Sequence, residues 1–130
     1  MRDSSMLGIE FILKALQNSW SINSSSKWSK ENPAMGQCGV TALVVHDQVG
    51  GEILKTKLAD GWHFYNFIDG KRFDLTASQF QEEILYIDVP SSRDEAFSDT
   101  NEKQYTYLKN TVAKHIYDQN KKWFRFRSFT

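Results

Sequence analysis

The chain has 130 residues and a mass of 15.1 kDa, which fits one domain with a buried core, so a second domain would have to be very small. Hydrophobic residues make up 40% and charged residues 25%, as in an average soluble globular protein, and this excludes a disordered or fibrous chain. Sixteen basic residues balance sixteen acidic ones, so no overall field favours nucleic acid or an anionic membrane as a partner.

The first predicted element is an amphipathic helix over about residues 4–19. Apolar residues recur there at spacings of three and four, namely Met6, Ile9, Ile12, Leu13, Leu16 and Trp20. Residues 21–36 are rich in Ser and Asn and predict an irregular connection. The apolar run that follows Cys38 favours a buried helix ending before Gly50 and Gly51.

A hairpin region is predicted next, beginning with an outer strand over Glu52–Leu58 and an aromatic strand over Trp62–Ile68. Asp69 and Gly70 form a strong signal for a tight two-residue turn, because both tolerate the positive φ angles that it needs. The partner strand then runs over Arg72–Leu75. The remaining predicted elements are a short helix capped by Thr76 and running through Phe80, a strand Ile84–Val89, a capping box at Ser92 and Glu95, a helix over about residues 100–118, and a last strand Trp123–Phe129.

No targeting or membrane segment is apparent, because residues 1–20 lack a basic start followed by an unbroken apolar stretch. No apolar run approaches the ~18–20 residues of a membrane span. We therefore expect a cytoplasmic protein, either a monomer or a weak homo-oligomer. The single cysteine cannot form an internal disulfide or a cysteine-rich zinc site, the histidines show no metal-ligand spacing, and no cofactor is expected.

Cys38 is the first candidate for chemistry, since it directly follows Gly36 and Gln37 at the start of the buried helix. Unpaired backbone N–H groups and the positive end of the helix dipole are predicted to lower its pKa and favour the thiolate. The same N–H groups could form an oxyanion hole. The alternative is that Cys38 is simply a small buried apolar residue.

His63 and Asp74 are the second candidate pair. A two-residue loop at Asp69 and Gly70 puts Tyr65 opposite Asp74, which makes His63 a diagonal neighbour of Asp74 on the same sheet face, at ~7–8 Å. Asp74 would hold one imidazole nitrogen and leave the other for Cys38, the arrangement of nucleophile, base and orienting group. A three-residue loop would put Asp74 opposite Asn66 instead. In the plainer alternative, His63 is a half-exposed strand residue and Asp74 caps the turn at Thr76.

A resemblance to known families supports this grouping. The stretch 63–76, HFYNFIDGKRFDLT, resembles the His and Asp strands of transglutaminase-like proteins. Together with 32–45, NPAMGQCGVTALVV, with 50–54, GGEIL, and with 74–80, DLTASQF, it resembles the YunG-like family of small, uncharacterised bacterial proteins over roughly residues 16–90. The resemblance implies a papain-like fold, in which the helix bearing Cys38 packs on a small antiparallel sheet that carries His63 and Asp74. With the predicted N- and C-terminal helices and the length of the chain, we expect an α+β fold forming a single domain over 1–130.

The candidate residues also suggest a function. The resemblance does not supply a substrate, but the grouping of Cys38, His63 and Asp74 leads us to expect a thiol-dependent acyl-transfer enzyme of the peptidase, amidase, deamidase or transglutaminase type, acting on an amide or ester of a peptide, protein or small molecule. Papain-like peptidases place a glutamine several residues before the cysteine for the oxyanion hole, whereas Gln37 is directly adjacent to Cys38. Gln37 is a candidate oxyanion donor that departs from the family pattern in its position. The main alternative is an inactive papain-like binding module with an aromatic surface, built from Trp20, Trp28, Trp62, Tyr65 and Trp123. An immunity-type interaction protein is a third possibility.

Overall fold

The computed structural model describes residues 4–127, and the side chains of residues 8–122. In this range the chain is α+β. Its elements are α1 Ser4–Gln17, α2 Cys38–Val49, β1 Glu52–Leu58, β2 Gly61–Ile68, β3 Lys71–Phe73, a 3-10 helix Ala77–Gln79, β4 Val89–Pro90, α3 Arg93–Phe97 and α4 Glu102–Arg127.

The four strands form one antiparallel sheet in the order β3-β2-β1-β4. Ile68 faces Lys71 across the tight turn, so the predicted two-residue loop is confirmed. Asp69 and Gly70 both have positive φ angles, 51° and 77°, as such a turn requires. β1 was expected to be an outer strand, and this is wrong, because it pairs with β2 on one side and with the two-residue β4 on the other.

α2 packs against β2 and carries the centre of the fold. Its residues from Cys38 to Val45 are all buried, and it ends before Gly50 as predicted. Asn66 on β2 donates its amide to the carbonyl oxygen of Ala42 at 3.1 Å, which fixes the helix on the sheet. A cluster of buried apolar side chains joins α1, α2 and α4. Its members include Ile9, Ile12, Leu16, Val44, Val45, Leu108 and Val112.

The predicted strand over Ile84–Val89 is wrong except at its end, where Val89 belongs to β4. Side chains from the neighbouring strands bind this backbone in place of a ladder. The N–H of Ile87 donates to Thr56 Oγ1 at 3.0 Å, and that of Asp88 donates to Tyr65 Oη at 3.1 Å. The segment therefore runs beside the sheet without pairing with it.

The predicted C-terminal strand, Trp123–Phe129, is also wrong as far as residue 127, because α4 continues without a break to Arg127. Aromatic and basic residues do alternate there, but residues 102–127 contain neither Gly nor Pro to end the helix. The rest of this predicted strand lies outside the described residues, which leave out 128–129 and the side chains of 123–127. The same holds for the side chain of Met6 in the predicted first helix.

None of the helices described in residues 4–127 combines the length and the apolar character needed to cross a bilayer.

Candidate functional site

A cleft of about 880 Å³ opens beside the first residue of α2, and both Cys38 and His63 line it. Its wall is mixed in character. The apolar residues that line it include Met35, Leu58, Trp62, Phe80, Ile84 and Leu85, and the charged ones are Lys27, Lys57, Asp60, Glu82, Glu83 and Asp99. The two residues predicted to exchange a proton thus share one solvent-accessible space.

The predicted bond between His63 and Asp74 is present. His63 Nε2 lies 2.6 Å from Asp74 Oδ2, and the two side chains are only 2% and 4% exposed. Asp74 is held in turn by the hydroxyl of Tyr86, which donates to Oδ2 at 2.8 Å, and by the backbone N–H of Thr76, which donates to Oδ1 at 3.3 Å. Because a carboxylate oxygen only accepts, Nε2 carries a proton, and in the neutral form of the ring Nδ1 then carries the lone pair.

The other ring nitrogen of His63 is buried and has no hydrogen-bond partner among the described residues. Phe80 packs edge-on against the ring, with centroids 4.9 Å apart, so the imidazole is held from the side as well as through Asp74. The lone pair of Nδ1 is therefore not taken up by another described side chain or backbone group.

Cys38 lies against the strand that carries His63. Cys38 and Phe64, the residue after His63, belong to one buried apolar cluster, and the backbone N–H of Phe64 acts to lower the pKa of the thiol. The thiol itself donates to Asp99 Oδ2, with Sγ and Oδ2 separated by 3.4 Å. The sulfur is thus in contact with β2 on one side and with a carboxylate on the other.

The expected low pKa of Cys38 is wrong for this structure. Burial, followed by the negative charge of Asp99, raises the pKa of the thiol to about 12. The backbone N–H groups of Phe64 and Gly39 act in the opposite direction but are outweighed. Cys38 is consequently a neutral thiol at neutral pH.

Asp99 was missed by the sequence analysis. It lies between α3 and α4, where Oδ2 accepts hydrogen bonds both from the Cys38 thiol and from the backbone N–H of Gly39, at 3.1 Å. Partial burial of the carboxyl group raises the pKa of Asp99, although the residue as a whole is exposed. The one trace of this contact in the sequence is Gly39, since a Cβ at that position would lie 2.7 Å from Asp99 Oδ2.

Gln37 does not line the cleft. Its side chain is fully buried, and its amide nitrogen donates to the carbonyl oxygen of Pro33 at 3.3 Å. The structure therefore brings Cys38 and His63 together at the cleft with Asp74 behind the imidazole, while the Gln37 amide is turned towards buried backbone.

The aromatic residues considered for a binding surface are divided between core and surface. Trp20 and Tyr65 are 7% and 1% exposed and belong to the interior, whereas Trp62 is 41% exposed. Trp28 is partly buried, and the side chain of Trp123 lies outside the described residues. Within the described part of the chain, no three His, Cys, Asp or Glu side chains are grouped closely enough to hold a metal ion.

Comparison with known proteins identifies a family and a relative that cover most of the chain. The profile of the family described as "YunG protein" matches residues 8–117. The "Uncharacterized protein YunG" of Bacillus subtilis (strain 168) is 52% identical over 108 residues, which cover 83% of this chain and 94% of that relative. No solved structure matches. Because the family match spans all of the cleft residues and most of the fold, the chain belongs to the YunG protein family.

Proposed function

We propose that this protein is a thiol-dependent acyl-transfer enzyme, in which Cys38 is the nucleophile, His63 the general base and Asp74 the group that orients the imidazole. The observation that carries the proposal is the buried, unpartnered Nδ1 of His63, in a cleft that also holds the Cys38 thiol. Four other buried side-chain atoms of the described residues also lack a partner, but His63 Nδ1 is the one that can take up a proton, and His63 lines the same cleft as the Cys38 thiol.

A papain-like architecture is part of the proposal. It is supported by the order and position of the three groups: Cys38 opens a buried helix, and that helix packs on an antiparallel sheet. His63 is on the strand next to the helix, and Asp74 directly follows the adjacent strand. The short separation between His63 and Asp74 makes this arrangement easy to form from one hairpin.

The resting thiol is neutral, so the reaction begins with general-base catalysis instead of a preformed thiolate. Nδ1 of His63 takes the thiol proton as the sulfur attacks the carbonyl carbon of an amide or ester. The new oxyanion accepts hydrogen bonds from backbone N–H groups of the first turn of α2, among which that of Gly39 faces the site. The imidazolium then protonates the leaving amine or alcohol. Water or an amine next attacks the thioester and gives its proton to Nδ1, the C–S bond breaks, and the proton returns to the sulfur as the acyl product leaves.

The cleft bears on the class of substrate. Its apolar wall, with Trp62 and Leu85 exposed to solvent, suits an aliphatic or aromatic group beside the reacting carbonyl. Its volume accommodates a small amide, a short peptide or a side-chain amide of a protein. Amidase, peptidase, deamidase and transglutaminase-type reactions all belong to the proposed class.

The test is the rate at which Cys38 reacts with iodoacetamide and with p-nitrophenyl acetate across pH, followed by intact mass in the wild type, His63→Ala and Asp74→Asn. We expect the rate of Cys38 alkylation in the wild type to show an inflection with pH that both variants lose. We also expect the acyl adduct on Cys38 to form slowly or not at all in His63→Ala. His115→Ala is the matched control, because His115 is in α4 and does not line the cleft.

A second candidate is the inactive binding module, and the neutral Cys38 thiol bound to Asp99 favours it specifically. In that case Cys38 would react equally slowly in the wild type, His63→Ala and Asp74→Asn, and no acyl adduct would form. That result would rule out the enzyme and leave the exposed Trp62 as the first place to look for a partner.

A further inference from the structure

We propose that Asp99 is the specificity-determining residue of the Cys38 site, where its carboxylate selects neutral or cationic acyl groups over anionic ones and is displaced from Gly39 when the substrate carbonyl binds. The inference rests on the proposed function, because it concerns the same nucleophile.

The position of Asp99 is the first argument. Oδ2 lies 3.4 Å from the Cys38 sulfur and 3.1 Å from the backbone nitrogen of Gly39. When a carbonyl carbon is bonded to the sulfur, its substituents are about as far from the sulfur as Asp99 Oδ2 is. Asp99 would then contact the group next to the reacting carbonyl. A charge at this distance from the reacting atoms discriminates between substrates of opposite sign.

The close approach of Asp99 depends on the residue after the nucleophile. A Cβ on Gly39 would lie 2.7 Å from both Cβ and Oδ2 of Asp99 and 2.7 Å from the carbonyl oxygen of Ala96. Only glycine at this position therefore lets the segment between α3 and α4 bring a carboxylate to the sulfur. The contact is built by the packing of two elements, while the outer side of Asp99 stays open to solvent.

Two positive groups act on Asp99, namely Lys27, which also lines the cleft, and His63 when it is protonated. Neither contacts the carboxylate as closely as the thiol and the Gly39 N–H do, since no ion pair joins Asp99 to a described residue. The negative charge beside the sulfur is thus only partly offset, and an incoming anion meets it directly.

Asp99 also competes with the oxyanion. The N–H of Gly39 can serve the developing negative charge only after Oδ2 has moved away, and two negative oxygens cannot share this donor favourably. Displacement of the carboxylate by the substrate carbonyl frees the N–H, and the thiol proton, no longer bound to Asp99, passes to Nδ1 of His63. No electron acceptor or further reactant is involved.

The test uses the charge of the reagent as its readout. The full chain is treated with a cationic and an anionic methanethiosulfonate (the trimethylammonium and sulfonate ethyl compounds), and the ratio of their rates at Cys38 is compared among the wild type, Asp99→Asn and Asp99→Ser. The fraction of ionised thiol cancels in this ratio. Asp94→Asn is the matched control, because it removes one charge from the neighbouring helix α3 at an exposed position that does not line the cleft.

We expect the cation-to-anion ratio to fall at least about fivefold in both Asp99 variants, from the loss of one charge a few Å from the sulfur, and to stay at the wild-type value in Asp94→Asn. Unchanged ratios in both Asp99 variants would overturn the inference. Its failure is separable from that of the proposed function: the ratio depends on Asp99 whether or not His63 acts as a base, and the base is tested by the loss of iodoacetamide reactivity in His63→Ala.

Discussion

Cys38 and His63 line the same cleft, and each of them is bound to a different carboxylate. Asp74 holds the imidazole proton on Nε2, which leaves Nδ1 as an acceptor. Asp99 accepts a hydrogen bond from the Cys38 thiol, and its negative charge opposes ionisation of the sulfur. At the level of single residues, the site therefore combines an imidazole whose Nδ1 has no described partner with a thiol that is kept protonated.

The raised pKa of Cys38 makes stability depend on pH in the alkaline range. A thiol ionises near pH ~8.5 in the unfolded chain, whereas the folded pKa is about 12. Between these values the unfolded state binds fewer protons, so the free energy of unfolding falls as pH rises, by at most about 1.4 kcal/mol per pH unit for this one group. Below the unfolded pKa the contribution is complete.

We predict that Cys38→Ser loses this component, so that its free energy of unfolding declines less steeply than that of the wild type above pH ~9. Urea denaturation over a series of pH values measures the difference between the two proteins. Cys38→Ala is the control for the serine hydroxyl and should give the same slope. Parallel curves for the wild type and both variants would show that the folded thiol ionises as readily as the unfolded one.

Single contacts were predictable where they are local. His63 and Asp74 are brought together by one tight turn, and the alternation of side chains along two short strands determines which of them share a face. Asp99 could not be found in this way, because its contact with Cys38 depends on how α3 and the following turn pack against α2. No periodicity or motif encodes that packing.

Among the elements, α2 makes a close contact at its first turn, where Gly39 lies against Ala96 and Asp99. A side chain on Gly39 would meet the carbonyl oxygen of Ala96 at 2.7 Å, and a backbone atom cannot give way as the end of a flexible side chain can. Gly8 in α1 provides a contrast, since a Cβ there would have nothing within 4 Å. The two glycines are both helical but occupy opposite environments.

We predict that Gly39→Ala lowers the free energy of unfolding by about 1–3 kcal/mol, because it forces α2 and the segment after α3 apart. Gly8→Ala should raise it by up to about 1 kcal/mol through helix propensity alone. Urea denaturation of both variants beside the wild type checks the pair. A Gly39→Ala protein as stable as Gly8→Ala would mean that α3 does not pack on α2 as described.

The helices and strands also show which sequence patterns predict secondary structure in this chain. The predicted helix from Cys38 and the hairpin after it are confirmed, because a buried apolar run and a turn signal reflect local conformation. The expected strand over residues 84–89 failed, because Thr56 and Tyr65 supply hydrogen bonds to its backbone from the sheet face, so no strand is needed to satisfy it. Local preference cannot reveal such a distant partner.

For the molecule as a whole, α4 completes the apolar cluster that it shares with α1 and α2, since it packs against both of these helices. Leu108 lies at the centre of this contact and is 0% exposed, within the apolar cluster shared by the three helices. Leu85 is its counterpart at the surface, with 87% of the residue exposed at the rim of the cleft. The same residue type thus occurs at both extremes of burial.

We predict that Leu108→Ala lowers the free energy of unfolding by about 2–5 kcal/mol, through lost burial and the cavity left behind. Leu85→Ala should change it by no more than about 0.5 kcal/mol. Thermal and urea denaturation measure both. A small effect of Leu108→Ala would mean that α4 contributes little to the common core and that α1 is held by other contacts.

The separation of contacts along the chain has a consequence for how the site is assembled. His63 and Asp74 are 11 positions apart, whereas Cys38 and Asp99 are 61 apart. Local contacts form early in folding and distant ones late. A chain that folds as it is synthesised acquires its imidazole–carboxylate pair before the residue that restrains the sulfur exists. We therefore expect the thiol to be most vulnerable to oxidation and to electrophiles during biogenesis, and to become protected only when the C-terminal segment docks.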